Sequence, residues 1–371
     1  MAGIYLHIPF CKQACNYCNF HFSTSLRYKL QMIDAIIKEI ELQKDYLKGE
    51  IVHTIYFGGG TPSLLSTEDY QLLIGTIQKY HQIDNDPEAT LEANPDDITE
   101  AKLQAWKDIG INRLSIGIQS FFEQELQWMN RAHSAQLAIR SLLLSMKYFH
   151  NISVDLIYGS PLLTDEIWAH NVQTALSYNI PHLSCYALTI EEKTPLHKQI
   201  MSNQNPNIDA DKQARQFTLL MKWLHDAGYE HYEISNFAKQ NFRSRHNSNY
   251  WKGEKYLGLG PSAHSYNGFR RQWNVANNNN YIISINNGVI PFEHEELTNE
   301  KRLNEYIMIS LRTSEGMDLQ VVEKNWGGET RKLIEKKSSL FNGLIHYQNS
   351  VMKLTDKGML LADRIASELF S

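Results

Sequence analysis

The chain has 371 residues, 42% of them apolar and 21% charged, with a formal net charge of −5. This ordinary globular balance suits one barrel-sized domain plus a smaller one, and it excludes a disordered chain or an overall basic field for nucleic acid. The start, MAGIYLHIPFC, has no basic n-region, and no apolar run approaches about 18 residues, so a cytoplasmic protein without signal peptide or transmembrane segment is expected.

In chain order, short apolar runs alternate with longer amphipathic ones. Strands are predicted over 4–10, 53–58, 89–94, 113–119, 153–158 and 182–188. Helices are predicted between them, over 27–48, 66–80, 99–109, 134–149, 164–178 and 209–227. Ser66 and Thr99 are candidate caps, without a full capping box. Strand after helix, repeated this regularly, calls for a parallel sheet, as a barrel or as a doubly wound open sheet. The alternation favours the barrel. Leu91 and Ala93 oppose Thr90, Glu92 and Asn94, and Leu114, Ile116 and Ile118 oppose Ser115, Gly117 and Gln119, so one face meets the helices and a polar face looks into a lumen.

After residue 230 the character changes. Residues 235–280 are rich in Asn, Gly, Arg and aromatics, and the NNNN tract at 277–280 reads as a turn or solvated loop. From 298 onward helical patterns return, followed by two short strands around a turn at 348–350 and a last helix, an arrangement resembling a small winged-helix-like α/β module. The expected fold class is therefore α/β: a partial (β/α)6 TIM-like barrel at 1–230, a connecting region at 231–297, and a C-terminal module at 298–371.

Three of the four cysteines, Cys11, Cys15 and Cys18, fall within eight residues, while Cys185 is remote and reads as a small core residue. Such a cluster in a chain of this size indicates metal binding rather than a disulfide framework. Three thiolates on one loop can each hold one iron of a cubane, leaving the fourth iron open to a small molecule with an amine and a carboxylate. A closed zinc site wants four ligands, and His7 or His21 could complete one. Phe10, Tyr17, Phe20 and Phe22 are expected to shield a cluster from water.

Further candidates fall where the later strands end. Gly58-Gly59-Gly60-Thr61-Pro62 follows the second strand; it lacks the Lys of a phosphate-binding loop. Glu92, Gln119, Asp155 and Ala187 lie at or near the ends of the third to sixth strands, on the rim where barrel enzymes place their sites. A cationic ligand with a ribose and a carboxylate would use Glu92 or Asp155 for hydroxyls and Arg131, in the NRAH segment, for the carboxylate.

The Cys11-x3-Cys15-x2-Cys18 spacing resembles the signature of the radical S-adenosylmethionine (SAM) superfamily. IYLHIPFC, FGGGTPSLL, EANP, SIGIQSF, NRAH, DLIYGSP and SCYALT resemble segments of its coproporphyrinogen-dehydrogenase-like branch, over nearly the whole chain. The resemblance implies a [4Fe–4S] cluster on the three cysteines, whose open iron binds SAM for reductive cleavage to a 5′-deoxyadenosyl radical. It also implies one or two SAM molecules contacting Tyr5, Gly59, Gly60, Thr61, Glu92, Gln119, Arg131, Asp155 and Ala187, and an electron donor such as a flavodoxin or ferredoxin.

Within that branch the oxygen-independent coproporphyrinogen III oxidases resemble CxxxCxxCxC, and here the position of the extra cysteine is Phe20. Relatives with CxxxCxxCxF are the HemW-type heme chaperones. His246-Asn247-Ser248-Asn249-Tyr250-Trp251 is similar to their HNxxYW motif, which implies heme contact at His246, Tyr250 and Trp251. An imidazole is a common axial ligand and aromatic rings offer flat faces to a macrocycle, although a His–aromatic cluster can equally be a hydrogen-bonded knot. The expected function is heme binding and transfer to acceptor proteins; the alternative is the oxidative decarboxylation of coproporphyrinogen III.

Overall fold

The computed structural model describes residues 2–370. Six strands, β1 (Ala2–Ile8), β2 (Val52–Gly59), β3 (Ile83–Ala93), β4 (Arg113–Gln119), β5 (Asn151–Tyr158) and β6 (His182–Ala187), lie side by side in sequence order, each parallel to the next. The helices between them cover one face. Leu91, Leu114, Ile116 and Ile118 are buried in the main apolar core with helix residues such as Ile36, Leu73, Leu103, Leu142 and Trp168. The alternate residues of the same strands face inward, as a period of two requires. The fold is the α/β partial barrel that this alternation predicts.

Both edges of the parallel core are extended. β7 (Glu230–Glu233) and β8 (Asn236–Ala238) add an antiparallel pair beyond β6. β9 (Lys255–Leu259) runs parallel to β1, from Ala2↔Lys255 to Leu6↔Leu259, and β10 (His264–Tyr266), β11 (Arg270–Asn274) and β12 (Phe292–Glu296) continue outward antiparallel. The stretch without visible periodicity thus holds four short strands, of which β9 finds its partner β1 at the other end of the chain. The NNNN tract is no loop either. Asn277 is an N-cap whose side chain accepts from the Asn280 N–H, and Asn278–Asn286 is helical.

Ser66 makes a complete capping box, with Asp69 in the place usually held by Glu or Gln: the Ser66 hydroxyl accepts from the Asp69 N–H and the Asp69 carboxylate accepts from the Ser66 N–H. The C-terminal module holds a second sheet of β13 (Met317–Asp318), β14 (Ile345–Gln348) and β15 (Val351–Leu354) in the order β13-β15-β14. Asn349 and Ser350 take φ of 49° and 65°, the left-handed pair a two-residue hairpin turn needs. Its apolar core, including Leu303, Ile307, Met317, Met352 and Ile365, is separate from that of the barrel. Among the described residues, no helix is long and apolar enough to cross a membrane.

Ser66→Ala removes one side of the capping box in the helix Thr67–Tyr80. It should lower stability by about 1 kcal/mol in chemical denaturation, with an unchanged denaturant slope.

Candidate functional site

A cavity of about 870 Å³ lies at the carboxyl ends of the parallel strands, the end where the loops of a parallel barrel converge. Cys11, Cys15 and Cys18 line it from the loop after β1, Gly59, Gly60 and Thr61 from the end of β2, and Glu92 and Asn94 from β3. Gln119, Arg131, Asp155 and Ala187 complete the ring. The structure therefore brings together every predicted rim residue except Tyr5, which sits lower in the lumen, its hydroxyl 3.3 Å from His7 Nδ1.

The three thiols are free and half-buried. Burial pushes the Cys11 thiol up to about 11, offset in part by the Thr61 hydroxyl, and burial also raises Cys18. Iron would have to displace these protons, since the thiolate is the ligand. Among the described residues no three His, Cys, Asp or Glu side chains stand close enough to hold one metal ion. The imidazoles that could have completed a zinc site are engaged elsewhere. His7 Nε2 is 2.8 Å from the His21 carbonyl, and His21 Nε2 is 2.7 Å from Asn278 Oδ1. All three thiols line the one cavity, where each thiolate could hold one iron of a cluster.

Arg131 is fixed at the cavity wall. Its Nη1 donates to Cys15 Sγ at 3.3 Å, and its Nη2 donates to Asn94 Oδ1 and to the Gly117 carbonyl, both at 2.7 Å. Its Nε is buried without a hydrogen-bond partner. Asn94, which the sequence reading did not single out as a site residue, ties this arginine to Thr61 by donating Nδ2 to Oγ1 at 3.1 Å. Its signal was legible: it continues the inward face of Glu92 by one strand period.

Two carboxylates face the lumen. Burial pushes Glu92 up to about 7, although its Oε1 accepts from Tyr56 Oη at 2.8 Å and its Oε2 from the Gly59 N–H at 3.2 Å. Burial likewise pushes Asp155 up to about 6, against the Ser115 hydroxyl that donates at 3.0 Å. Both are poised to gain from a cation in the cavity. Gln119 takes φ of 68° where the β4–β5 register slips, so the backbone turns at the rim.

The glycines serve packing as well as access. A Cβ on Gly59 would lie 2.5 Å from the His7 ring, and one on Gly60 would lie 2.7 Å from the carbonyl oxygens of both Ile8 and Phe10. The cysteine loop thus packs directly on this turn. Of the residues expected to shield a cluster, Phe10 is buried and Tyr17 and Phe22 are half-buried. Phe20 lines the cavity rim and is 64% exposed.

The segment of His246, Tyr250 and Trp251 lies away from the cysteines, at the amino-terminal end of β1 and β2. It forms the short helix Arg245–Trp251, whose first N–H groups donate to the Glu88 carboxylate. His246 is buried and stacks on Tyr56 at 4.8 Å. Its Nδ1 meets Thr54 Oγ1 at 2.8 Å and its Nε2 meets Tyr250 Oη at 3.0 Å. Burial lowers its pKa to about 3, so the ring is neutral. Ligation by either nitrogen requires one of these bonds to open. Trp251 is half-buried, under the Arg312 guanidinium at 5.5 Å, and borders a smaller cavity of about 200 Å³. Cys185 is buried, as its core reading requires.

The radical SAM superfamily model matches residues 5–174. Over 376 aligned residues the chain is 32% identical to the heme chaperone HemW of Bacillus subtilis (strain 168), covering 98% of each. It is also 32% identical to the heme chaperone HemW of Mycobacterium tuberculosis (strain ATCC 25618 / H37Rv), covering 99% of this chain and 94% of that one. The chain belongs to the HemW heme-chaperone family of the radical SAM superfamily. It shares a fold with the coproporphyrinogen III oxidase HemN from Escherichia coli: TM-score 0.86, 22% identity, all of this chain and 90% of that one. At that identity the likeness speaks for fold alone.

Gly60→Ala in this HemW-family chain tests the contact between the glycine turn and the cysteine loop. The new methyl meets two backbone carbonyls, so a loss of roughly 1–3 kcal/mol is expected in equilibrium unfolding. Gly75→Ala, on an open helix surface with nothing within 4 Å, should be neutral or mildly stabilising.

Proposed function

We propose that this protein binds heme and hands it to acceptor proteins, with Cys11, Cys15 and Cys18 carrying a [4Fe–4S] cluster whose open iron takes SAM. The near full-length likeness to curated heme chaperones carries the heme part of this reading. The convergence of three thiols, two carboxylates and a buried arginine on one cavity carries the cofactor part. When bound, the cluster supplies an electron and an iron that chelates an amine and a carboxylate.

The chain's own groups define how the ligand would sit. Arg131, which lines the cavity, would offer its guanidinium charge to the SAM carboxylate. The Gly59–Thr61 turn, with Tyr5 below it, would receive the amino end. Glu92, Gln119 and Asp155 face the ribose and the sulfonium, and Ala187 closes the far wall. We propose a matching division of the chain: a cofactor barrel in 1–230, a heme-contacting segment in 231–297 with His246, Tyr250 and Trp251, and a C-terminal module in 298–371. Support for the last comes from its separate apolar core. A flavodoxin or ferredoxin is the proposed electron donor and the cytoplasm the proposed compartment.

SAM affinity should rise with pH. In the ligand-free chain Glu92 ionises near 7 rather than at its ordinary 4.5, and Asp155 near 6 rather than 3.8. The protonated native forms are therefore favoured, and ligand-free stability falls as pH rises through those values. A bound cation favours the ionised forms and recovers that loss. Calorimetry between pH 6 and pH 8 should show SAM binding tightening up to about tenfold through Glu92 and about twofold more through Asp155, and Glu92→Gln should remove most of the slope. A profile unchanged by Glu92→Gln removes Glu92 from the SAM site.

The heme reading is tested on protein reconstituted anaerobically with iron and sulfide, titrating hemin while following the Soret band and assaying coproporphyrinogen III with SAM and a reductant. Hemin binding without porphyrinogen turnover is expected; turnover, or no hemin binding, overturns the chaperone reading. Tyr250→Phe frees His246 Nε2 from its hydroxyl partner, so it should tighten hemin binding several-fold if the imidazole is the axial ligand. His246→Gln should abolish that gain. Equal hemin affinity in both variants places the ligand elsewhere.

A further inference from the structure

The cysteine loop is also held through its backbone, by the turn that carries Arg131. Residues 128–131 follow the helix Glu123–Trp128 and run beside the loop. Asn130 Nδ2 donates to the Ala14 carbonyl at 2.7 Å. Gln13 Nε2 returns the contact, donating to both the carbonyl and Oδ1 of Asn130 at 2.9 Å. One residue further, the Asn16 N–H donates to the Met129 carbonyl at 3.1 Å and Asn16 Nδ2 to the Trp128 carbonyl at 2.8 Å. On its far side the Asn16 carbonyl accepts from the Leu196 N–H at 2.9 Å, at the start of the helix Pro195–Met201.

Asn130 is suited to the position twice over. Its φ of 57° lies in the left-handed region, which Asn tolerates better than most residues. Its amide offers a donor and an acceptor in one plane, and both are used. The next residue in the turn is Arg131, which reaches Cys15 Sγ, Asn94 and the Gly117 carbonyl. One turn therefore grips the backbone between Cys11 and Cys18 and aims the arginine at the middle thiol.

We propose that Asn130 is a positioning residue that docks the cysteine loop on the 128–131 turn and so pre-sets the spacing of the three thiols for cluster binding; its consequence for the cluster rests on the cofactor reading above. Other ties of the loop include the Cys11 N–H to the Ser23 carbonyl at 3.0 Å, the Cys18 N–H to the Cys15 carbonyl at 3.4 Å, and Lys12, whose Nζ is 2.9 Å from Asp96 Oδ2 and also pairs with Asp97.

Two variants of the full-length protein separate docking from folding. Asn130→Gly keeps the left-handed backbone and deletes the side-chain clamp. Asn130→Asp keeps the size but sets a carboxylate oxygen against the Ala14 carbonyl. In metal-free protein, amide exchange over residues 12–18 should quicken about tenfold in both, the scale of one or two lost exposed hydrogen bonds. The thermal midpoint of Asn130→Gly should stay unchanged. In reconstituted protein, chelator should strip iron about tenfold faster from both than from wild type. Exchange unchanged in both variants overturns the proposal, as does iron retention equal to wild type in both. If wild type itself holds no iron, the cluster reading falls, and the exchange comparison still decides whether Asn130 docks the loop.

Discussion

Arg113 is 1% exposed at the start of β4, inside the lumen, and the polar side chains around it take their ionisation states in its presence. Burial is the larger influence on each of them, but the guanidinium sets the sign of the correction. It opposes burial at Glu92 and Asp155, easing both towards the charged form, and it adds to burial at His182 and His246, keeping both neutral. A buried cation is tolerable only where acceptors and partial negative charge face it. Beside it serine, histidine and tyrosine side chains bond one another, Ser153 Oγ with His182 Nδ1 at 2.7 Å and His182 Nε2 with Tyr232 Oη at 2.8 Å, while Arg113 Nε itself is buried without a partner. The polar lumen is thus one electrostatic unit, and the cavity at its mouth inherits its charge balance.

The same filling joins the two ends of the barrel. His246 stacks on Tyr56, Tyr56 donates to Glu92, and Glu92 accepts from the Gly59 N–H beside the cysteine loop. A parallel sheet gathers strand ends of one polarity at one mouth, so the residues that meet a cofactor share that mouth whatever their sequence order. The HNxxYW segment closes the opposite end. A neutral imidazole is the form that ligates metal, yet this one already has both nitrogens occupied, by Thr54 and by Tyr250. The Tyr56 side chain therefore touches both ends, its ring on His246 and its hydroxyl on Glu92.

The barrel was readable because a period of two or of 3.6 is a local property: β4 occurs over the very residues its alternation marks, Arg113–Gln119. The rim residues were readable for the same reason, since knowing the strand ends locates them. What failed was non-local or chemical. β9 looked like loop because only its pairing with β1 makes it a strand. The capping box at Ser66 was missed because Asp69 fills a position commonly held by a longer side chain. His246 could not be placed, because its partners Thr54 and Glu88 are 192 and 158 residues away. Composition says that the Phe20 ring is apolar, but not that it would be left 64% exposed on the rim of the cavity.

Phe20 also bounds what the fold can decide. The likeness to HemN runs the whole length of this chain at 22% identity, so barrel, cavity and C-terminal module are common ground and cannot by themselves separate a porphyrinogen enzyme from a heme carrier. The separation must lie in side chains that reach the cavity without holding up the fold. Phe20 meets both conditions: it lines the rim, and at 64% exposure it contributes little to the core. A phenyl ring there can neither ligate, donate a hydrogen atom nor change charge, whereas a thiol in the same place could do all three. Exchanging one for the other alters the chemistry available at the mouth and leaves the architecture beneath it intact.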